Sequence, residues 1–164
     1  MSEPIRNLTD GNGYLDTMIL YAYLRASHAD AANLFQQIED GALQAFTAAL
    51  TFDEVAYRLL LGLIRDRYGP SPLDRLRQDQ TAMIDEFYPL IEPQLVALQH
   101  FPHFTIIPVI VEDIAVMHRN ARQFHLLPRD ALHLSVMQRI GCTNLISEDS
   151  DFDTVTNLKR FTIN

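Results

Sequence analysis

Strand-length apolar runs alternate with helix-length amphipathic stretches along this chain of 164 residues, and no other feature constrains its fold as strongly. Alternation of this kind places successive strands side by side in one direction, with each intervening helix crossing a sheet face. After the turn signal Asp10-Gly11-Asn12-Gly13, the step Tyr14-Leu15 runs straight into Asp16 and reads as a first strand. Helical spacing follows over 17–27, with Leu20, Tyr23 and Leu24 on one face. It resumes over 29–40, with Ala31, Leu34, Phe35 and Ile38, and Gly41 closes the pair. Residues 44–50 form a second strand, and Thr51 suits the N-cap of a helix over 52–64, with Glu54 as its capping-box partner.

The stretch RDRYGPSP at 65–72 breaks the pattern, and a long helical segment spans 73–98, with kinks expected at Pro89 and Pro93. Beyond it, 104–107 is β-prone and 111–124 helical, and Pro128 opens a helix that reaches Ile140 and stops at Gly141. Residues 143–147 read as a strand, 149–155 as one helical turn and 160–163 as a final edge strand. The expectation is one α/β domain over 1–164, a three-layer α/β/α sandwich with a small, mainly parallel sheet. The helical segment at about 65–103 belongs to that domain.

A hydrophobic content of 48% fills such a core without disulfides, and the single cysteine, Cys142, has no internal partner. A reducing cytoplasm is the natural setting. The N-terminus lacks the features of a signal peptide, and the run IIPVIV at 106–111 falls far short of the ~20 residues that span a bilayer. A soluble protein without membrane attachment is expected. The formal charge of −8 opposes general nucleic-acid binding, unless the acids hold divalent cations that reverse the sign a phosphate meets.

In an open α/β sheet, ligands bind beyond the carboxyl ends of the strands, where the strand order reverses. Asp16 follows the first strand directly, and Asp149 follows Asn144-Leu145-Ile146 after a two-residue step. Glu54 and Asp130 each fall in the first turn of an expected helix, where the macrodipole favours a carboxylate. Taken singly, Asp16 and Glu54 have ordinary capping roles and Asp149 suits a polar turn; taken together the four acids form a cluster of like charge that opposes folding until a hard cation joins it. Carboxylates and water suit Mg2+ or Mn2+, either of which activates water for attack on phosphorus.

The segments YLDTMIL (14–20), LTFDEVAYRL (50–59), LPRDALHLSV (127–136) and LISEDSDF (145–152) resemble those of PIN-domain nucleases, above all the VapC-type toxin ribonucleases of toxin–antitoxin pairs. The resemblance implies that Asp16, Glu54, Asp130 and Asp149 are the catalytic and metal-holding acids, that Asp151 is a fifth ligand, and that Ser147 and Thr17 support them. It further implies Mg2+ or Mn2+, RNA phosphodiester hydrolysis, a homodimer and an antitoxin partner. Two features depart from the family pattern. Met18 stands where Asn or Ser is usual, and 65–103 is longer than in the smallest members. Two alternatives stay open at this point: a PIN-like binding module that has lost catalysis, and a DNA or structure-specific nuclease that uses the same acids.

Other polar residues carry less. His118 and His125 share a helix face but stand two turns apart, too far for one ion, and His100 and His103 suit surface or packing roles. His133, one turn after Asp130, is placed to orient it. Arg119, Arg122 and Arg129 precede Asp130 and are the candidate grips on RNA phosphates; Arg65, Arg67, Arg75 and Arg77 alternate with acids and suit surface pairing. Asp153, farthest from the strand end, reads as a solvated turn residue.

Overall fold

The structure, a computed structural model, describes residues 2–8 and 11–163; Asp10 of the expected turn lies outside them. Six strands form one sheet: β1 (Glu3–Pro4), β2 (Gly11–Leu15), β3 (Leu43–Ala48), β4 (Phe104–Ile107), β5 (Asn144–Ile146) and β6 (Lys159–Thr162), in the order β1-β6-β5-β2-β3-β4. All neighbouring pairs run parallel. The chain steps outward from β2 through β3 to β4, then returns to the other side of β2 to lay down β5 and β6. The order therefore reverses between β2 and β5, whose paired residues are Tyr14 with Leu145 and Leu15 with Ile146.

Period-2 alternation along the strands feeds a core on each face. Leu15, Ala45, Ile146 and Phe161 pack against α1 (Thr17–Leu24), α2 (Ala29–Glu39), α3 (Ala49–Tyr68), α4 (Pro72–Gln78) and α5 (Gln80–Gln99). Tyr14, Ala48 and Leu145 point the other way, into the core of α6 (Val111–Phe124) and α7 (Pro128–Ile140). The result is the expected three-layer α/β/α sandwich.

Several boundaries differ from expectation, each for a physical reason. Helix α3 begins at Ala49 rather than Phe52, because Ala48 is already extended and serves as its N-cap without a side-chain bond. Thr51 is therefore inside the first turn, its hydroxyl 2.7 Å from that of Thr47, and the capping box with Glu54 does not form. Glu54 lies in the second turn, so the macrodipole argument does not apply to it. The helix continues past Ile64 to Tyr68, which leaves only 69–71 of the expected break. Residues 73–98 are two helices, separated at Asp79, whose carboxylate caps α5 by accepting from the Ala82 N–H at 3.1 Å. Helix α5 runs uninterrupted through Pro89 and Pro93, because both prolines lie on its exposed face, where water can serve the carbonyls they leave unpaired. The last strand is not an edge: β1 pairs along it.

Candidate active site

Four elements deliver carboxylates to the crevice where the strand order reverses. Asp16 is the residue between β2 and α1; its backbone N–H donates to the Ile146 carbonyl at 3.1 Å, which holds the ends of β2 and β5 together. Its Oδ1 accepts from the Thr17 N–H at 2.6 Å, so it caps α1, while its Oδ2 accepts from Ser147 Oγ at 2.6 Å. Ser147 is fully buried after β5, and its Oγ also accepts from the Asp149 N–H at 3.0 Å. One hydroxyl thus fixes the first acid and the loop that carries the fourth.

Asp149 in turn accepts from the Asp151 N–H at 2.9 Å and opens the short 3-10 turn Ser150–Thr154. That turn is clamped from below. Arg160 of β6, buried, makes a paired bond to Asp153 at 2.9 and 3.0 Å and donates to the Ser147 carbonyl at 3.1 Å. Asp153 is therefore a structural ion-pair partner rather than a solvated turn residue, and Arg160 holds its carboxyl below the usual range.

Asp130 lies in the first turn of α7, as expected from Pro128. Oxygen atoms of Asp130, Asp149 and Asp151 lie within 4.8 Å of one another. Burial, followed by the charges of Asp149 and Asp16, raises the Asp130 carboxyl to about 6. Burial comes first, and three neighbouring carboxylates, Asp151 included, add to it because like charges oppose the ionised form. An oxygen-only donor set of this kind fits a hard divalent cation.

Glu54 is held differently. Burial works to raise its pKa but is outweighed by hydrogen bonds from His133 and Thr17 and by the charge of Arg129, so the carboxyl lies below its ordinary value. Thr17 Oγ1 donates to Oε2 at 2.5 Å, and His133 Nε2 and Arg129 Nε both lie 3.2 Å from Oε1. The expectation that His133 orients Asp130 is corrected here: its partners are Glu54 and Tyr14. The proton on His133 follows from those partners. Tyr14 accepts from the Ala48 N–H at 3.0 Å, and burial pushes its pKa up, so it keeps its one proton and donates it to His133 Nδ1 at 2.7 Å. The tautomer that fits both partners carries the proton on Nε2, aimed at Glu54.

These acids open into a cleft of about 790 Å3 lined by Asp16, Thr17, Met18, Glu54, Arg58, Arg129, Asp130 and Asp149, with Asp53, Tyr57, Leu61 and Glu148 completing the wall. Of the three candidate phosphate grips, Arg129 reaches this cleft, whereas Arg119 and Arg122 are exposed on α6 and do not line it. Sequence reasoning missed Arg58 and the Tyr14–His133 pair. The i, i+4 spacing from Glu54 flags Arg58; nothing local flags Tyr14.

An all-parallel, three-layer sheet with a carboxylate cleft at its reversal point defines an α/β protein built to gather acids, with the chemistry of a divalent-cation site. The chain belongs to the PIN-domain family, whose model matches residues 13–158. Solved structures similar to it include VapBC2 of Rickettsia felis bound to a DNA fragment from its promoter, at 11% identity and TM-score 0.63, covering 93% of this chain and 98% of that one. A toxin–antitoxin complex from Klebsiella pneumoniae is 18% identical with TM-score 0.60 over the same shares, 93% and 98%. The sarcin–ricin-loop-cleaving toxin VapC20 of Mycobacterium tuberculosis is 15% identical with TM-score 0.54, covering 86% and 92%. At these identities the likeness is one of fold. Sequence comparison with curated proteins gives no match. Among the described residues, no helix is long and apolar enough to cross a membrane.

Proposed function

We propose that this protein is a Mg2+- or Mn2+-dependent endoribonuclease, the toxin of a toxin–antitoxin pair, and that Asp16, Glu54, Asp130 and Asp149 form its active site. One observation carries the reading: oxygens of Asp130, Asp149 and Asp151 lie within 4.8 Å of one another, and Asp130 and Asp149 line the cleft that Asp16 and Glu54 also line. Membership of the PIN-domain family supports it, and the fold neighbours that are toxin–antitoxin complexes support the toxin role.

Asp16, Asp130, Asp149 and Asp151, with Glu54 beside them, would hold the cation. When bound, such an ion supplies the charge that activates water and offsets the charge building on phosphorus. The chain's own groups do the positioning. Both oxygens of Asp16, which lines the cleft, are oriented by Thr17 and Ser147, and each keeps further acceptor capacity. Glu54 stays ionised at neutral pH and is aimed by Thr17, His133 and Arg129. Asp130, near 6, must release its proton before it binds a cation, so ion affinity rises with pH across that range. No side chain is required as nucleophile. In the cell, an antitoxin would cover the cleft of a cytoplasmic homodimer.

Purified protein with Mg2+ or Mn2+ is expected to cut single-stranded RNA or tRNA internally and to spare DNA. Asp16→Asn and Asp130→Asn each reduce the rate to background, as loss of a ligand requires. Undiminished cleavage by either variant, or preferential cutting of DNA, overturns the reading.

A further inference from the structure

We propose that the face of α3 beyond Glu54 is a binding track for the single-stranded RNA that flanks the scissile phosphate; this rests on the ribonuclease reading above. Glu54, Arg58, Leu61 and Arg65 follow one another at i, i+4, i+7 and i+11, so they share one helix face. That stripe starts in the acid cleft and leaves it. A second hollow, of about 370 Å3, is lined by Met18, Tyr21, Arg58, Leu61 and Arg65. Met18, Arg58 and Leu61 line both cavities, so the two adjoin and together make a groove along α1 and α3.

The charge along this groove selects its occupant. On a chain of net charge −8, most basic side chains around α3 are already engaged: Arg25 with Asp66, Arg67 with Glu86 at 3.9 Å, and Arg75 over the Tyr68 ring at 4.7 Å. Arg58 and Arg65 have no ion-pair partner among the described residues, and both are exposed. With about 1.5 Å of rise per residue, they stand roughly 6 and 16 Å along the helix from Glu54. A strand whose scissile phosphate lies at the acids therefore meets Arg58 first and Arg65 two turns later. Two guanidiniums without ion-pair partners among the described residues, in line with a phosphate-cleaving centre, fit a polyanionic backbone.

The floor explains Met18. A polar residue here would serve the acids; a thioether instead gives the groove an apolar, adaptable surface for a base. Gly62 keeps the floor low, because a Cβ there would come within 2.8 Å of the Tyr21 hydroxyl, which lies against the helix at that point.

The test is an anisotropy titration of a fluorescein-labelled single-stranded RNA, with Ca2+ in place of Mg2+ to slow cleavage, over a range of KCl. Arg58→Ala and Arg65→Ala, both at exposed positions, are each expected to weaken binding several-fold and to lower the salt slope by about 0.7 per arginine. Wild-type binding with unchanged slopes in both variants overturns the track and leaves the ribonuclease reading intact. A fall confined to Arg119→Ala and Arg122→Ala overturns it as well, since it moves the contact to α6. Failure of the wild-type protein to bind RNA overturns the track, and the cleavage assay with Mg2+ or Mn2+ judges the ribonuclease reading separately.

Discussion

Asp130 concentrates the electrostatic cost of the cleft. Burial and the charges of Asp149 and Asp16 move its carboxyl from 3.8 to about 6, so the folded protein holds this proton more tightly than the unfolded chain does. The ionised form therefore opposes folding. Without divalent ions, stability contributed at this site is present below pH 3.8 and lost as pH rises to about 6. Partial exposure screens the loss to the order of 1–2 kcal/mol. Asp130→Asn is expected to raise metal-free stability at neutral pH by that amount and to flatten its pH dependence. Urea unfolding at about pH 4 and about pH 7 in EDTA measures it, and a variant as pH-sensitive as the wild type rules the account out. Sequence reading reached Asp130 itself through Pro128, but not its pKa, which depends on burial and on neighbours from the junction after β2 and the loop after β5.

Among elements, β2, α7 and α3 are joined by one chain of buried hydrogen bonds, from the Ala48 N–H through Tyr14 and His133 to Glu54. Removing the Tyr14 hydroxyl leaves two buried groups without a partner, a cost of about 1–3 kcal/mol. It also frees His133 to move its proton to Nδ1, which would then turn away from Glu54 a nitrogen that now donates. For Tyr14→Phe, nitrogen NMR of the imidazole is expected to show mixed tautomers where the wild type shows Nε2–H alone. An unchanged single tautomer would contradict the derived proton position. The helices at 72–99 have a separate task. Met83, Phe87, Ile91 and Leu95 of α5 recur every fourth residue and bury against the same core as Leu59 and Ile64 of α3, which stiffens the helix that presents Glu54 and Arg58.

At the scale of the whole molecule, the fold collects negative charge that it neutralises only in part, at Glu54. Acids from the junction after β2, from α3, from α7 and from the loop after β5 meet at the reversal point, in a chain of net charge −8. Any cation that binds there stabilises the native state by mass action, about 2.7 kcal/mol at a hundredfold excess over Kd. Thermal melts in EDTA and in Mn2+ are expected to differ by several degrees for the wild type and far less for Asp149→Asn. Equal shifts in both proteins would place Mn2+ elsewhere.

The alternation of periods along the chain determined a parallel sheet covered on both faces. It also set Asp16 and Asp149 at strand ends, because which residues must be buried is a local property of spacing. Segments 104–107, 111–124 and 128–140 coincide with β4, α6 and α7 for that reason. Only the tertiary structure decided that β1 covers β6, that α3 starts three residues early, that Arg160 is spent on Asp153 and that His133 serves Glu54. Those partners are brought together by the order of the strands, and Tyr14 and His133 lie 119 positions apart. A hydrogen bond across that distance exists only after the sheet has closed, so no window of sequence records it.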